Sequence, residues 1–179
     1  SRNDNVVPSR GLYFFWNMET GMIDFNNERK FQKIWWEMSL YGNIMKRLNM
    51  ELGVCAGTGD KLVPEYERYL RGGIDTMPGT YFGQYSKTQY FTIKTKQSFL
   101  IRRSVLFDTY FSTGYFLNGF WDSPEIEWSY RDFTNSFYAG VILNTTLAPV
   151  QSGWGITLGN GDIKANNRFY LSVGYSLNR

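Results

Sequence analysis

Phe169-Tyr170-Leu171-Ser172-Val173-Gly174-Tyr175-Ser176-Leu177-Asn178 changes character at every residue. Phe169, Leu171, Val173, Tyr175 and Leu177 make one set; Tyr170, Ser172, Gly174, Ser176 and Asn178 make the other. Successive side chains of a strand point to opposite faces, so a period of two reads as a strand with one apolar face. A helix needs a period of 3.6, which this stretch lacks.

The same alternation recurs upstream. In 150–159, Trp154, Ile156 and Leu158 oppose Gly153, Gly155 and Thr157. In 136–146, Phe137, Ala139, Val141 and Leu143 oppose Gly140 and Asn144. In 104–117, Phe107, Phe111 and Tyr115 oppose Asp108, Ser112 and Gly114. Stretches 89–101, 44–56, 30–40 and 10–18 repeat the pattern, which predicts eight strands, most of 10–14 residues. About 9–11 tilted residues cross a bilayer, whereas soluble strands are usually about five or six residues long.

The breaks between strands have a rhythm. Tyr41-Gly42-Asn43, Arg102-Arg103 and Ala148-Pro149 are short; 20–28, 57–86, 118–132 and 160–166 are long. Short and long turns at opposite ends of a sheet are the habit of bacterial outer-membrane barrels. With an even strand number both termini lie at one end. A periplasmic C-terminus then makes all three short turns periplasmic and all four long breaks extracellular. The expected fold is all-β: an eight-stranded antiparallel transmembrane β-barrel over 9–179, entered by a periplasmic linker at 1–8.

Composition fits and excludes. The chain has 179 residues, enough for one domain with a sizeable core, and 18% are aromatic, as interfacial girdles require. Mean hydropathy is −0.38, and no apolar run approaches the ~18 residues of a transmembrane helix. A net charge of +3 is too weak to argue for nucleic acid. The lone Cys55 allows no internal disulfide, and the lack of His excludes His-based triads and His-containing zinc sites. Gly53-Val54-Cys55-Ala56-Gly57-Thr58-Gly59-Asp60-Lys61 superficially resembles a phosphate loop but lacks the Gly-Lys-Ser/Thr ending. No catalytic residue, cofactor or metal is expected. A start at Ser1 suggests a mature segment or an excised domain, with any catalytic part upstream.

The polar strand faces carry Lys33, Glu37, Arg47, Glu51, Lys94, Lys96 and Asp108. Charges of both signs inside a small barrel either pair and plug it or line a passage; an eight-stranded barrel is just wide enough for side chains to fill. The break at 57–86 poses a problem, because about thirty residues do not fit such an interior. Either it lies outside, or two chains of eight strands make a wider barrel of sixteen.

The final strand resembles the C-terminal β-signal of outer-membrane barrels, read by the barrel assembly machinery. Phe169, Ser172, Gly174, Tyr175 and Leu177 carry the likeness, with Leu177 standing where an aromatic is usual. Three further pieces resemble the bacterial surface-antigen superfamily, the barrels of assembly factors and two-partner secretion. They are Pro8-Ser9-Arg10-Gly11 before an aromatic strand, Tyr69-Leu70-Arg71-Gly72-Gly73 with Pro78-Gly79-Thr80-Tyr81, and Thr146-Leu147-Ala148-Pro149 through Gly155. Arg71, Gly72 and Gly73 stand where that family has Arg-Gly-Phe/Tyr on an inward-folded loop. That family usually has sixteen strands, and the short version here is most similar to the C-terminal barrel of patatin-like phospholipase (type V-d) autotransporters.

The resemblance implies an outer-membrane anchor and secretion pore for an upstream passenger. Its partners would be the lipid bilayer, the assembly machinery, the passenger and, in the two-chain reading, a second copy. A standalone outer-membrane protein that binds partners through its long loops is the first rival. A soluble ligand-binding barrel is the second.

Overall fold

A computed structural model describes residues 7–24, 29–122, 133–160 and 163–174. One antiparallel sheet holds eight strands: β1 (Gly11–Asp24), β2 (Arg29–Met45), β3 (Leu48–Gly59), β6 (Gln89–Arg103), β7 (Phe107–Trp121), β8 (Phe133–Thr145), β9 (Val150–Thr157) and β10 (Asn166–Val173). Each pairs with the next in that order. Two short strands, β4 (Tyr69–Arg71) and β5 (Tyr85–Lys87), pair separately, so the expected eight become ten. β4 lies in the 57–86 break and β5 at its end, and both are too short to show a period.

Several breaks fall elsewhere than the sequence suggests: Arg102 and Arg103 are still paired in β6, opposite Thr109 and Asp108, so that short turn is 104–106. Pairing runs straight through Tyr41-Gly42-Asn43, with Tyr41 opposite Glu51 and Gly42 opposite Met50. Asn43 and Asn49 face each other, and the Asn43 amide donates to the Asn49 side-chain oxygen at 3.2 Å. A Tyr-Gly-Asn triplet reads as a turn only when no partner strand matches its residues. The turn itself is Lys46-Arg47. Similarly, 20–24 belongs to β1, with Thr20 opposite Gln32 and Gly21 opposite Phe31. The Phe31 ring lies over Gly21, where an added Cβ would come within 2.3 Å of it.

Burial alternates along the strands. Ser112, Gly114, Phe116 and Asn118 of β7 are buried, as are Thr134, Ser136, Tyr138, Gly140 and Ile142 of β8. The intervening positions are less buried, and along the sheet that face carries large exposed apolar side chains. Trp16 is 64% exposed, Trp154 50% and Leu171 68%, and Phe14, Leu40, Leu52, Phe111 and Phe137 join them. This inverts a water-soluble protein, in which buried groups are mostly apolar and large exposed apolar patches mark interaction surfaces.

Buried apolar groups on the polar side include Phe116, Tyr138 and Met77, and one cluster of them joins Val7, Tyr110 and Ile142, with Leu100 against it. Val7 thus ties the N-terminal stretch to the short-turn end of the sheet. Among the described residues β1 pairs only with β2 and β10 only with β9.

Candidate functional site

The buried polar face is the candidate site, and its register brings charges together. Glu37 of β2 lies opposite Cys55 of β3, and Gly53 lies opposite both Ser39 and Lys94. Because Gly53 has no side chain, Lys94 lies across it; an added Cβ would meet the Lys94 chain at 2.4 Å. The ammonium then reaches Glu37 at 2.8 Å and Glu51 at 3.0 Å, while the Ser39 hydroxyl donates to Glu51 at 3.1 Å. One cation between two carboxylates leaves a net negative charge that Lys96, opposite Glu51, partly offsets.

Lys96 turns to the 57–86 segment and meets Asp75 at 2.9 Å. Lys33 does the same, bridging Glu67 at 2.6 Å and Glu19 of β1 at 3.1 Å. The segment is therefore folded onto the polar face. Arg71 donates to the Thr92 hydroxyl at 3.0 Å, lies 3.5 Å from the Cys55 sulfur, and stacks 4.1 Å above the Tyr90 ring. The Tyr69 ring stands edge-on to Tyr90 and Trp35, with its hydroxyl 3.0 Å from the Ile34 carbonyl. Burial pushes the Tyr69 phenol above its ordinary range, so it stays a protonated donor.

The segment then crosses to the last strands. Tyr170 of β10 accepts from the Gly79 N–H at 2.7 Å and donates to the Thr80 carbonyl at 2.8 Å. The Thr157 hydroxyl donates to the Pro78 carbonyl, and Arg168 stacks on Tyr81. Met77, Pro78 and Thr80 are fully buried beneath this crossing. Backbone freedom makes the path feasible. Gly72 and Gly79 have φ of +134° and +102°, and a Cβ on Gly79 would lie 2.5 Å from the Thr157 backbone nitrogen.

Of the residues singled out in the sequence, Glu37, Glu51 and Lys94 form one cluster, and Lys33 and Lys96 anchor the segment. Arg47 lies in the β2–β3 turn and is exposed, off the polar face because that turn is displaced. Asp108 sits at the short-turn rim, 3.6 Å from Arg103. Arg71, Gly72 and Gly73 are at the heart of the docked segment. Phe169 points outward, Ser172 pairs with Gln151, and the Gly174 N–H donates to the Pro149 carbonyl at 2.9 Å. Tyr175 and Leu177 lie outside the described residues. Asp75, Glu67 and Glu19 were not singled out, and Tyr69 and Tyr170 entered only as members of quoted stretches. Only the charge of Asp75 just past the glycine pair offered a signal.

Fold and site define a class: an all-β protein whose large antiparallel sheet has a polar face, an apolar face and a segment strapped across the polar one. The chain matches the Omp85 superfamily domain over residues 1–177 and belongs to that superfamily. No curated protein matches it.

Proposed function

We propose that this chain is a transmembrane β-barrel of a bacterial outer membrane that anchors, and helps to translocate, a passenger attached at its N-terminal side. One observation carries the membrane reading. Exposed apolar and buried polar positions alternate on strand after strand of the sheet. A bilayer favours that arrangement, because apolar side chains face lipid and backbone groups are satisfied by strand pairing. Superfamily membership supports it.

The patatin-like lipase passenger rests on the strand count and on the motifs around Arg71 and Pro149. In this reading the chain itself performs no catalysis; it holds the lipase at the membrane. The polar face, strapped by the 69–81 segment, is a closed passage that opens when the strap leaves. Assembly by the barrel machinery follows from the final strand.

Heat-modifiable mobility on gels, with extraction from membranes only by detergent, tests the membrane reading; a freely soluble monomer would end it. A lipase nucleophile motif in the upstream reading frame, and its surface display only when this chain is present, tests the passenger. Display without this chain would remove the anchor role.

The two edges of the sheet favour a second reading of stoichiometry. β1 and β10 each have one partner strand among the described residues, and an open edge is costly in lipid. Either the two edges pair with each other, or those of two copies close a sixteen-stranded barrel with room for both straps. Mass in detergent distinguishes them: twice 20.9 kDa supports the dimer, and a strict monomer sinks it.

A further inference from the structure

At the long-loop end Lys33 has Glu19 and Glu67, and Lys87 and Arg68 share Asp122, while Lys30, Lys61 and Lys164 stand apart without an ion pair among the described residues. At the short-turn end Lys46, Arg47, Arg102 and Arg103 gather with one carboxylate, Asp108, which faces Arg103. Lys46, Arg47 and Arg102 form no ion pair among the described residues.

These cations frame a built cleft. The Leu100 N–H donates to the Arg47 carbonyl at 2.8 Å, which ties the β2–β3 turn to the end of β6. Lys46, Arg47, Leu100, Ile101 and Arg103 then enclose an open cleft of about 230 Å³, the size of a headgroup rather than of a drug-sized ligand. Asp108 offsets Arg103 alone, so the cluster of three cations stays net positive and favours an anion in that space. The cleft is also continuous with the apolar outer face, since Ile101 at its wall and nearby Ile44 are both half exposed. An acyl chain lying on that face would bring its phosphate to the cations.

We propose that this cleft binds the phosphodiester headgroup of an anionic phospholipid in the leaflet at the short-turn end. The proposal rests on the membrane reading above. The Arg47 and Arg103 guanidinium forks suit phosphate oxygens, and Lys46 adds a point charge. A zwitterionic headgroup carries the same phosphate but also a cation, which the cluster repels. Net headgroup charge is therefore what the cleft reads.

The test uses the whole chain folded in micelles containing equal amounts of phosphatidylglycerol and phosphatidylcholine, with bound lipid counted by native mass spectrometry. Phosphatidylglycerol should be retained preferentially. K46Q/R47Q should weaken its retention on the order of 30-fold, from loss of two surface cations. R103Q should weaken it too, and K30Q, at the far end of the sheet, should not. Heat-modifiable mobility checks that each variant is folded. A folded chain indifferent to headgroup charge, or unchanged by K46Q/R47Q, would overturn the cleft alone. Complete displacement of the lipid by millimolar inorganic phosphate would also overturn it, by showing a free-anion site. A chain that does not fold in these lipid micelles would overturn the membrane reading, and the lipid site with it.

Discussion

Replacing Leu52 by Arg isolates the physics of the outer face. Leu52 is half exposed, lies opposite Leu40 on β2 and Thr95 on β6, and is five residues from Arg47 in the short turn. At ~3.4 Å per residue and a tilt of about 40°, five residues climb ~13 Å above that turn. An apolar band about 25 Å tall has its midplane near that height. A lipid-facing Arg at the midplane costs about 2–4 kcal/mol, falling to about 0–1 near the interfaces. Val173 supplies the internal comparison. It also faces outward, at 70% exposure, but pairs with Val150, the first residue of β9 after a short turn. Val173→Arg should therefore cost about 0–1 kcal/mol, and Leu52→Arg roughly 2 kcal/mol more. Both are measured by reversible urea unfolding from phospholipid vesicles. A face in water tolerates either change within about 0.5 kcal/mol. Equal and negligible costs would refute the reasoning.

The strap gives the other predictions. Asp75→Ala leaves Lys96 without its partner and should destabilise by roughly 1–3 kcal/mol, between the values for surface and buried pairs, with coupling to Lys96→Ala visible in a double-mutant cycle. Tyr170→Phe removes both bonds to the strap, should cost about 1–3 kcal/mol, and should speed protease cleavage within 69–87. Gly79→Ala forces a Cβ onto the β9 backbone and should release the strap more completely, read as larger single-channel conductance in planar bilayers. The Tyr69 phenol, held above its ordinary range by burial, stabilises docking fully while both docked and free forms are protonated. Docking should weaken as pH rises past about 10, where the free phenol ionises, with protease access increasing in step. Tyr69→Phe should reduce that pH response, the remainder coming from Tyr85, whose phenol burial also raises, and from Tyr90 and Tyr170, which touch the strap.

Strand existence was legible because period-two alternation is a direct image of two faces in two environments. Phe169, Leu171 and Val173 read from sequence as one exposed apolar face, and they are one. Turn positions were less legible. Gly42 and Gly21 sit inside paired strands, one opposite Met50 and the other beneath the Phe31 ring, and glycine alone does not say which side of a strand end it occupies. That ambiguity moved Arg47 from the polar face to the rim.

The strap was legible as a break that did not fit and, through the resemblance carried by Arg71-Gly72-Gly73, as the place where the family folds a loop inward. Its docking depends on distant pairings, such as Lys96 with Asp75, 21 residues apart, and Gly79 with Tyr170, 91 residues apart, which no local pattern encodes. The glycine pair was visible. That Gly72 lets the backbone pass where a Cβ would lie 2.0 Å from the Tyr81 carbonyl was not.

Quenching of tryptophan fluorescence by brominated acyl chains tests the central claim most directly. Single-tryptophan variants retaining either Trp154, on the outward face and half exposed, or Trp35, on the polar face beside Tyr69, are folded into vesicles of brominated phospholipid. Trp154 should be strongly quenched and Trp35 far less. Equal quenching of the two, or none of Trp154, would contradict a sheet whose apolar face meets lipid.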